Sequence, residues 1–278
     1  MVQETLCKRN LIWLPTPGRW SYRADPFGVW HRGSLYVFVE RFDYSDRHGR
    51  IEVMTYSPEL DLLSVDLALR EPWHLSYPFL FSSGQDHLML PEARQSGRLT
   101  LYRAHSFPLG WKAELTIPVP PGAVDATPLF WNDKWWLFYC VKRTVPERTN
   151  ELHLSFADAL GGPWKPHALN PVLKGLANGR PGGSPIAMDD HICLPVQDCR
   201  KGYGGSLRRL RITLLDETRF EADDQPWLHA PAAFAPFDQG LHTLSSSGPV
   251  SLIDLKRIDR SPMARALNRW TRNPRRPR

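Results

Sequence analysis

Ionisable side chains recur at matching places along this chain. Asp25 precedes Pro26-Phe27, and Tyr77 precedes Pro78-Phe79. Asp125 to Thr127 lead into Pro128-Leu129, Arg180 to Ser184 lead into Pro185-Ile186, and His242 follows Gly240-Leu241. A second set stands thirteen residues after each apolar anchor in the first three copies: Glu40, Glu92 and Lys142, with Gln197 or Asp198 in the fourth. Two carboxyl groups are the usual requirement for work at a glycosidic bond, one as acid and one as base or nucleophile. Crowded carboxylates also raise one another's pKa, which keeps an acid protonated. Asp25 with Asp125 is the first such pair, and Glu40 with Glu92 the second. Each has a plainer reading: Asp before Pro caps turns, and the glutamates have Arg41 and Arg94 in reach. Arg180, in Asn-Gly-Arg-Pro-Gly-Gly, has a planar fork suited to a carboxylate or phosphate; otherwise it is a loop arginine in solvent. His242 is read as an acid/base, a ligand to a central ion or water, or a satisfied core histidine. Tyr203-Gly204-Gly205, after Gln197-Asp198-Cys199, is a binding loop or a hairpin.

These residues converge only if the segments carrying them are repeats of one unit. The copies VWHRGSLYVFVE, LFSSGQDHLMLPE, FWNDKWWLFYCVK and AMDDHICLPVQDC each read as a β-hairpin, with turns supplied in the first three by His31-Arg32-Gly33, Ser82-Ser83-Gly84-Gln85-Asp86 and Asn132-Asp133-Lys134. Each is followed by a further strand-like run: RIEVMTY, RLTLYRAH, ELHLSFAD and SLRRLRIT. A four-stranded unit repeated about every 50 residues predicts a β-propeller, whose innermost strands line one central pocket. A shorter fifth copy runs from Gly240 to Asp254, and Asn10 to Leu14 is expected to lend it a strand and close the ring. The expectation is an all-β, five-bladed, single-domain propeller over residues 10–257, with a long loop from Glu221 to Gln239. Trp73, Trp111 and Trp164 lie near repeat boundaries and are expected to pack between blades.

Composition narrows the function. The N-terminal MVQETLCKRN has no apolar signal stretch, and no run is long and apolar enough to span a bilayer. The four cysteines lack zinc or redox spacing and read as reduced thiols. These features lead to an expected location that is cytoplasmic or at the membrane periphery. HExxH, GxxxxGKS, GxGxxG and GxSxG are all missing, so neither a metal nor a cofactor is expected. The net charge of +6 is concentrated in the tail: Leu255 to Arg278 carries nine Lys or Arg and the single acid Asp259. Residues 258–278 are expected to form a basic tail or short helix, with Met263, Leu267 and Trp270 on one face. Such a helix suits a membrane surface or an acidic partner; nucleic acid is not expected, for no recognition fold accompanies the charge.

Several segments together resemble a known family. They are Ala24-Asp25-Pro26-Phe27, His74 to Phe79, Glu151 to Leu154, Gly161-Gly162-Pro163-Trp164, Asn170-Pro171-Val172, Gly179 to Gly183, Gln197-Asp198-Cys199, Tyr203-Gly204-Gly205 and Gly240 to Leu244. Over Asp25 to Arg257 the chain is similar to the N-terminal domain of plant glucosamine inositolphosphorylceramide transferases and its bacterial relatives. That resemblance implies a five-bladed propeller like the arabinanase and β-xylosidase glycoside hydrolases. In the plant proteins a glycosyltransferase domain follows; here the basic tail is expected in its place. The hydrolases use a base, a pKa-tuning Asp and a Glu acid. Asp25 matches the first and Asp125 resembles the second, but Gly179-Arg180-Pro181-Gly182 stands where the Glu would be.

The reading is a carbohydrate-active protein, most of all one transferring a glycosyl group to a sugar or lipid-linked acceptor from a carbohydrate or nucleotide-sugar ligand. The alternatives are a glycoside hydrolase and a non-catalytic sugar-binding module. Asp25, Glu92 and Asp125 are the catalytic candidates. Asp25 or Glu92 would deprotonate the acceptor, Arg180 would meet a departing phosphate, and His242 with Asp125 would orient the sugar. Glu40, Tyr77, Lys142, Asp198 and Tyr203 complete the expected binding set.

Overall fold

The computed structural model describes residues 11–18, 20–143, 149–259 and 261. Four antiparallel blades follow one another in the chain. The first holds β1 (Ser21–His31), β2 (Ser34–Asp43), β3 (His48–Tyr56) and β4 (Leu62–Leu69); the second holds β5 (Ser76–Ser83), β6 (Asp86–Glu92), β7 (Leu99–Ser106) and β8 (Leu109–Ile117). The third holds β9 (Ala123–Trp131), β10 (Lys134–Arg143), β11 (Thr149–Ala157) and the short β12 (Lys165–Pro166) and β13 (Leu173–Lys174). The fourth holds β14 (Ile186–Ala187), β15 (Ile192–Asp198), β16 (Ser206–Leu215) and β17 (Phe220–Leu228). The tight turns follow from left-handed backbone at Arg32-Gly33, Gly84 and Asn132-Asp133.

The continuous apolar runs of the second strands are explained by burial on both faces. Successive side chains of a strand point to opposite faces. Leu35, Val37 and Val39 of β2 therefore join one core cluster, while Phe38 joins another with Met89, Tyr102 and Trp111 of blade two. In β10, Leu137, Tyr139 and Val141 face blade two, and Trp136 and Phe138 face blade four. Trp73, Trp111 and Trp164 pack at these seams, as their positions predict.

The fifth unit differs from expectation. It is a two-stranded sheet, β18 (Leu244–Ser247) with β19 (Val250–Ile253), so the propeller has four full blades rather than five. The hairpin nevertheless bridges the gap between blades four and one. Gly183 pairs with Leu244 in parallel, Ser245 Oγ donates to the Pro26 carbonyl at 2.6 Å, and Trp30 Nε1 donates to the Ser247 carbonyl at 2.9 Å. Residues 11–14 add no strand; Leu14 packs beside Leu252, and Trp13 sets its ring 5.4 Å from Phe237. The first part of the expected loop, from Glu221 to Leu228, is in fact β17, whose alternating burial let its charged outward face pass for a loop; residues 229–239 connect without a strand, as expected. Asn10 and the amphipathic helix expected beyond Pro262 lie outside the described residues. Among the described residues no helix is long and apolar enough to cross a membrane, and Cys140, Cys193 and Cys199 are free thiols.

One feature recurs on the inner strand of blades one to three. Asp25, Tyr77 and Asp125 have φ values of 51°, 44° and 52°, each at a break in register with the second strand. Left-handed backbone in a non-glycine residue costs of order 1–3 kcal/mol and persists only when its surroundings impose it. Phe27, Phe79 and Thr127 occupy equivalent places, opposite Phe38, Leu90 and Phe138. The third copy is thus aligned through Asp125-Ala126-Thr127, not through Pro128. By the same register Cys140, not Lys142, is the counterpart of Glu40 and Glu92.

Tyr77 ties three units together. Its hydroxyl accepts from the Gly183 N–H at 2.8 Å and donates to Thr127 Oγ1 at 2.9 Å, and Thr127 donates to the Asp125 carbonyl at 3.1 Å. Tyr77→Phe leaves that buried N–H without a partner and should cost about 1–3 kcal/mol, read as a lowered urea midpoint; an unchanged midpoint would show that the hydroxyl holds nothing.

Candidate functional site

The inner-strand bulges and the loop before β18 bring two charged groups together. The first is centred on His242. Its Nδ1 lies 2.6 Å from Asp254 and its Nε2 lies 3.3 Å from Asp25. Both ring nitrogens face carboxylates, so the ring is an imidazolium that donates twice. Burial works against that charge, but Asp254 and then Asp25 outweigh it and push the His242 pKa up to about 9. Asp254 also accepts the backbone N–H groups of His242 and Thr243, at 3.1 and 2.9 Å, and His242 holds its pKa below the usual range despite burial. Asp25 accepts from Thr243 Oγ1 at 2.6 Å and from the Tyr77 N–H at 3.2 Å, while its own N–H donates to Asp254 at 3.3 Å. Burial raises the Asp25 pKa; His242 opposes this, and Asp254 and Asp125 add to it. The ligating atoms of Asp25, His242 and Asp254 lie within 4.8 Å of one another, a spacing that a metal ion would fit. A metal would have to displace the imidazole protons that the two carboxylates already take.

The second group is centred on Asp125. Arg180 holds it with a two-pronged contact, Nε to Oδ2 and Nη2 to Oδ1, and Gln197 Nε2 donates to Oδ2 at 2.8 Å. Burial alone would raise the Asp125 pKa, but Arg180 holds it below the usual carboxylate range. Glu92 hydrogen-bonds to this carboxylate, and burial, then Asp125, push its pKa up to about 8. Glu92 is therefore neutral at pH 7 and is the donor in that bond. Glycine makes this half possible: a Cβ at Gly179 would strike the Asn150 carbonyl, and one at Gly183 (φ 137°) would strike the Leu244 backbone.

Tyr203 covers both groups. The Arg180 guanidinium lies 4.7 Å from its ring centre, and the His242 ring meets it edge-on at 4.9 Å. The ring is 43% exposed, yet its phenol group lies deep enough among carboxylates for burial to raise its pKa. Lys256 Nζ donates to the Tyr203 carbonyl at 2.5 Å. Glu40, on the blade-one side, is buried, which with Asp25 and Glu92 raises its pKa well above the usual value, while His242 opposes the shift.

The sequence-predicted residues are not all alike in this setting. Asp25, Glu40, Glu92, Asp125, Arg180, Tyr203 and His242 come together. Tyr77 lies beneath them with 1% exposure, its hydroxyl already engaged. Asp198 is bound by Arg200 within its own loop, with Nη2 to Oδ2 at 2.6 Å. Lys142 is exposed, but its ammonium is desolvated enough, and near enough to Arg180, to lower its pKa. Asp254 was missed, although it follows the second strand of the fifth unit much as Glu40 and Glu92 close theirs. Of the two residues expected at the fourth copy, Gln197 is the one that reaches Asp125; Thr243 lies beside the predicted His242, but no spacing marked its partner.

A family model described as "Glucosamine inositolphosphorylceramide transferase 1, N-terminal" matches residues 17–230. The chain belongs to this family. It is 31% identical over 217 residues to glucosamine inositolphosphorylceramide transferase 1 of Arabidopsis thaliana, and 31% identical over 215 residues to that of Oryza sativa subsp. indica. Each match covers 74% of this chain and 28% of the relative, so the chain matches less than a third of the length of those relatives. The fold is shared more widely. A GH62 α-L-arabinofuranosidase catalytic domain from Coprinopsis cinerea is 14% identical with a TM-score of 0.64, covering 89% of this chain and 88% of that one. A β-1,2-mannobiose phosphorylase from Listeria innocua is 10% identical with a TM-score of 0.62, covering 88% and 89%.

Two tests follow from the charges. Because the His242 pKa is raised from 6.5 to about 9 on folding, its contribution is complete below pH 6.5 and is lost as pH rises through 9. Denaturant titrations should show stability falling by about 3 kcal/mol across that window, and His242→Gln should flatten this slope. Arg180→Met leaves Asp125 buried without its cation and should cost about 3–5 kcal/mol, seen as a lower melting temperature; an Arg180→Met, Asp125→Leu pair should recover much of it.

Proposed function

We propose that this chain acts at a glycosidic bond by transferring a glycosyl group to a sugar or lipid-linked acceptor. The observation that carries the reading is the neutral Glu92 carboxyl held beside the ionised Asp125–Arg180 pair. Carboxyl groups whose surroundings drive their pKa values apart are the usual division into acid and base. Glu92 has a proton to give to a leaving-group oxygen. Asp25, whose raised pKa makes it the stronger base, takes the acceptor hydroxyl proton. Since Arg180 is spent on Asp125, the cation left for a donor phosphate is Lys142. Membership of a transferase family and a fold shared with sugar-processing enzymes support this reading.

A binding module without catalysis is the second reading. It is favoured by the engagement of both Asp25 oxygens and both Asp125 oxygens with protein donors. A hydrolase of the usual three-carboxylate kind fits less well, for Arg180 occupies the blade-four position.

Incubation with nucleotide-sugar donors and neutral glycoside acceptors separates these readings. Transfer should be lost by about 10²–10⁴-fold in Glu92→Gln and in Asp25→Asn; Glu92→Gln should keep the parent's melting temperature, whereas Asp25→Asn takes a carboxylate from His242 and should melt lower. Because Glu92 must be protonated, the rate should fall as pH rises through about 8. Sugar binding without turnover in the parent protein would establish the module instead.

A further inference from the structure

The hairpin of β1 and β2 continues past the buried site toward solvent, and one of its faces is aromatic. Tyr22 lies opposite Phe42 in the register, and the Tyr44 N–H donates to the Trp20 carbonyl at 2.8 Å, which prolongs the ladder. Residues two apart share a face, so Glu40, Phe42 and Tyr44 form one row with Tyr22 beside them. The Tyr22 and Phe42 rings stack at 5.1 Å and 18°, and Tyr44 meets Phe42 edge-on at 5.2 Å. Tyr22 is 38% exposed and Tyr44 is 44% exposed. Among the described residues the Tyr44 side chain makes ring contacts but no hydrogen bond.

The inner end of this row is polar. Tyr22 donates its hydroxyl to Glu40 Oε1 at 3.4 Å. His74 Nδ1 accepts the Gly49 N–H at 2.9 Å, which leaves the proton on Nε2, 3.5 Å from the same oxygen. The flanking cations are already paired: Arg23 and Arg41 with Glu52, and Arg41 also with Asp43. Among the described residues, a strip with exposed rings, a buried carboxyl at its inner end and flanking arginines already paired suits an uncharged ring with one apolar face and hydroxyls at its rim.

We propose that Tyr22, Phe42 and Tyr44 form a platform for a neutral pyranose ring, whose hydroxyls reach Glu40 and His74 at the edge of the Asp25 group. This rests on the sugar reading above, and it assigns the acceptor sugar to the blade-one side of the site. The anionic end of a donor is left to the side that carries Lys142.

The test uses the full chain and saturation-transfer NMR titrations with methyl glycosides of glucose, mannose and galactose. Tyr44→Ala should weaken the bound glycoside by about five- to tenfold, and Tyr44→Trp should keep it within about twofold. Melting temperatures should not move, since the ring is exposed. Equal binding by Tyr44→Ala and the parent overturns the platform while leaving the sugar reading intact. A parent that binds none of the three glycosides overturns both.

Discussion

A kink repeated on the inner strand of each of the first three blades sets up the rest of this molecule. At Asp25, Tyr77 and Asp125 the backbone takes a left-handed turn and the register with the second strand slips. The slip takes backbone N–H groups out of the sheet, and buried donors need partners. Acids from the preceding unit meet that need: Asp25 accepts the Tyr77 N–H, and Asp254 accepts the Asp25 N–H. Backbone strain and buried carboxylates thus support each other around the ring, which explains why acids are kept where burial disfavours them.

Buried charges have to be neutralised, and here each half of the site does so differently. Asp25 and Asp254 share one imidazolium, whereas Asp125 has a guanidinium and an amide. Such pairs offer little net stability, but breaking one strands its partner. Glu92 and Glu40 are the exceptions. Glu92 has no paired cation of its own and stays neutral by donating to Asp125, and burial likewise raises the Glu40 pKa well above its usual value. Protonated carboxyls are thus favoured beside the ion pairs of the same site.

The reduced fifth unit shows what closure of the ring requires. A full blade is absent, yet two strands suffice to cover the seam between blades four and one, with Leu252 packed into the blade-one cluster and Leu244 into the blade-four cluster. The same unit supplies His242, Thr243 and Asp254. Its two strands and the loop before them are thus the portion that touches the site.

The repeat, the hairpins, the between-blade tryptophans and most of the converging residues could be read from the sequence, because turn chemistry and apolar runs are local signals. Asp25, Glu92, Arg180 and His242 were found in this way. Register was not legible: Pro128 imitated the anchor of the earlier copies, and only the pairing of Thr127 with Phe138 showed that Asp125 holds the equivalent place. Nor was it legible that Arg180 would be spent on Asp125, or that Asp254 would face His242, since these partners lie 55 and 12 residues apart. Local sequence determines which strands form and which residues can ionise. Whether a carboxyl is paired, protonated or free depends on the field of groups brought from other blades, and only the closed ring decides that.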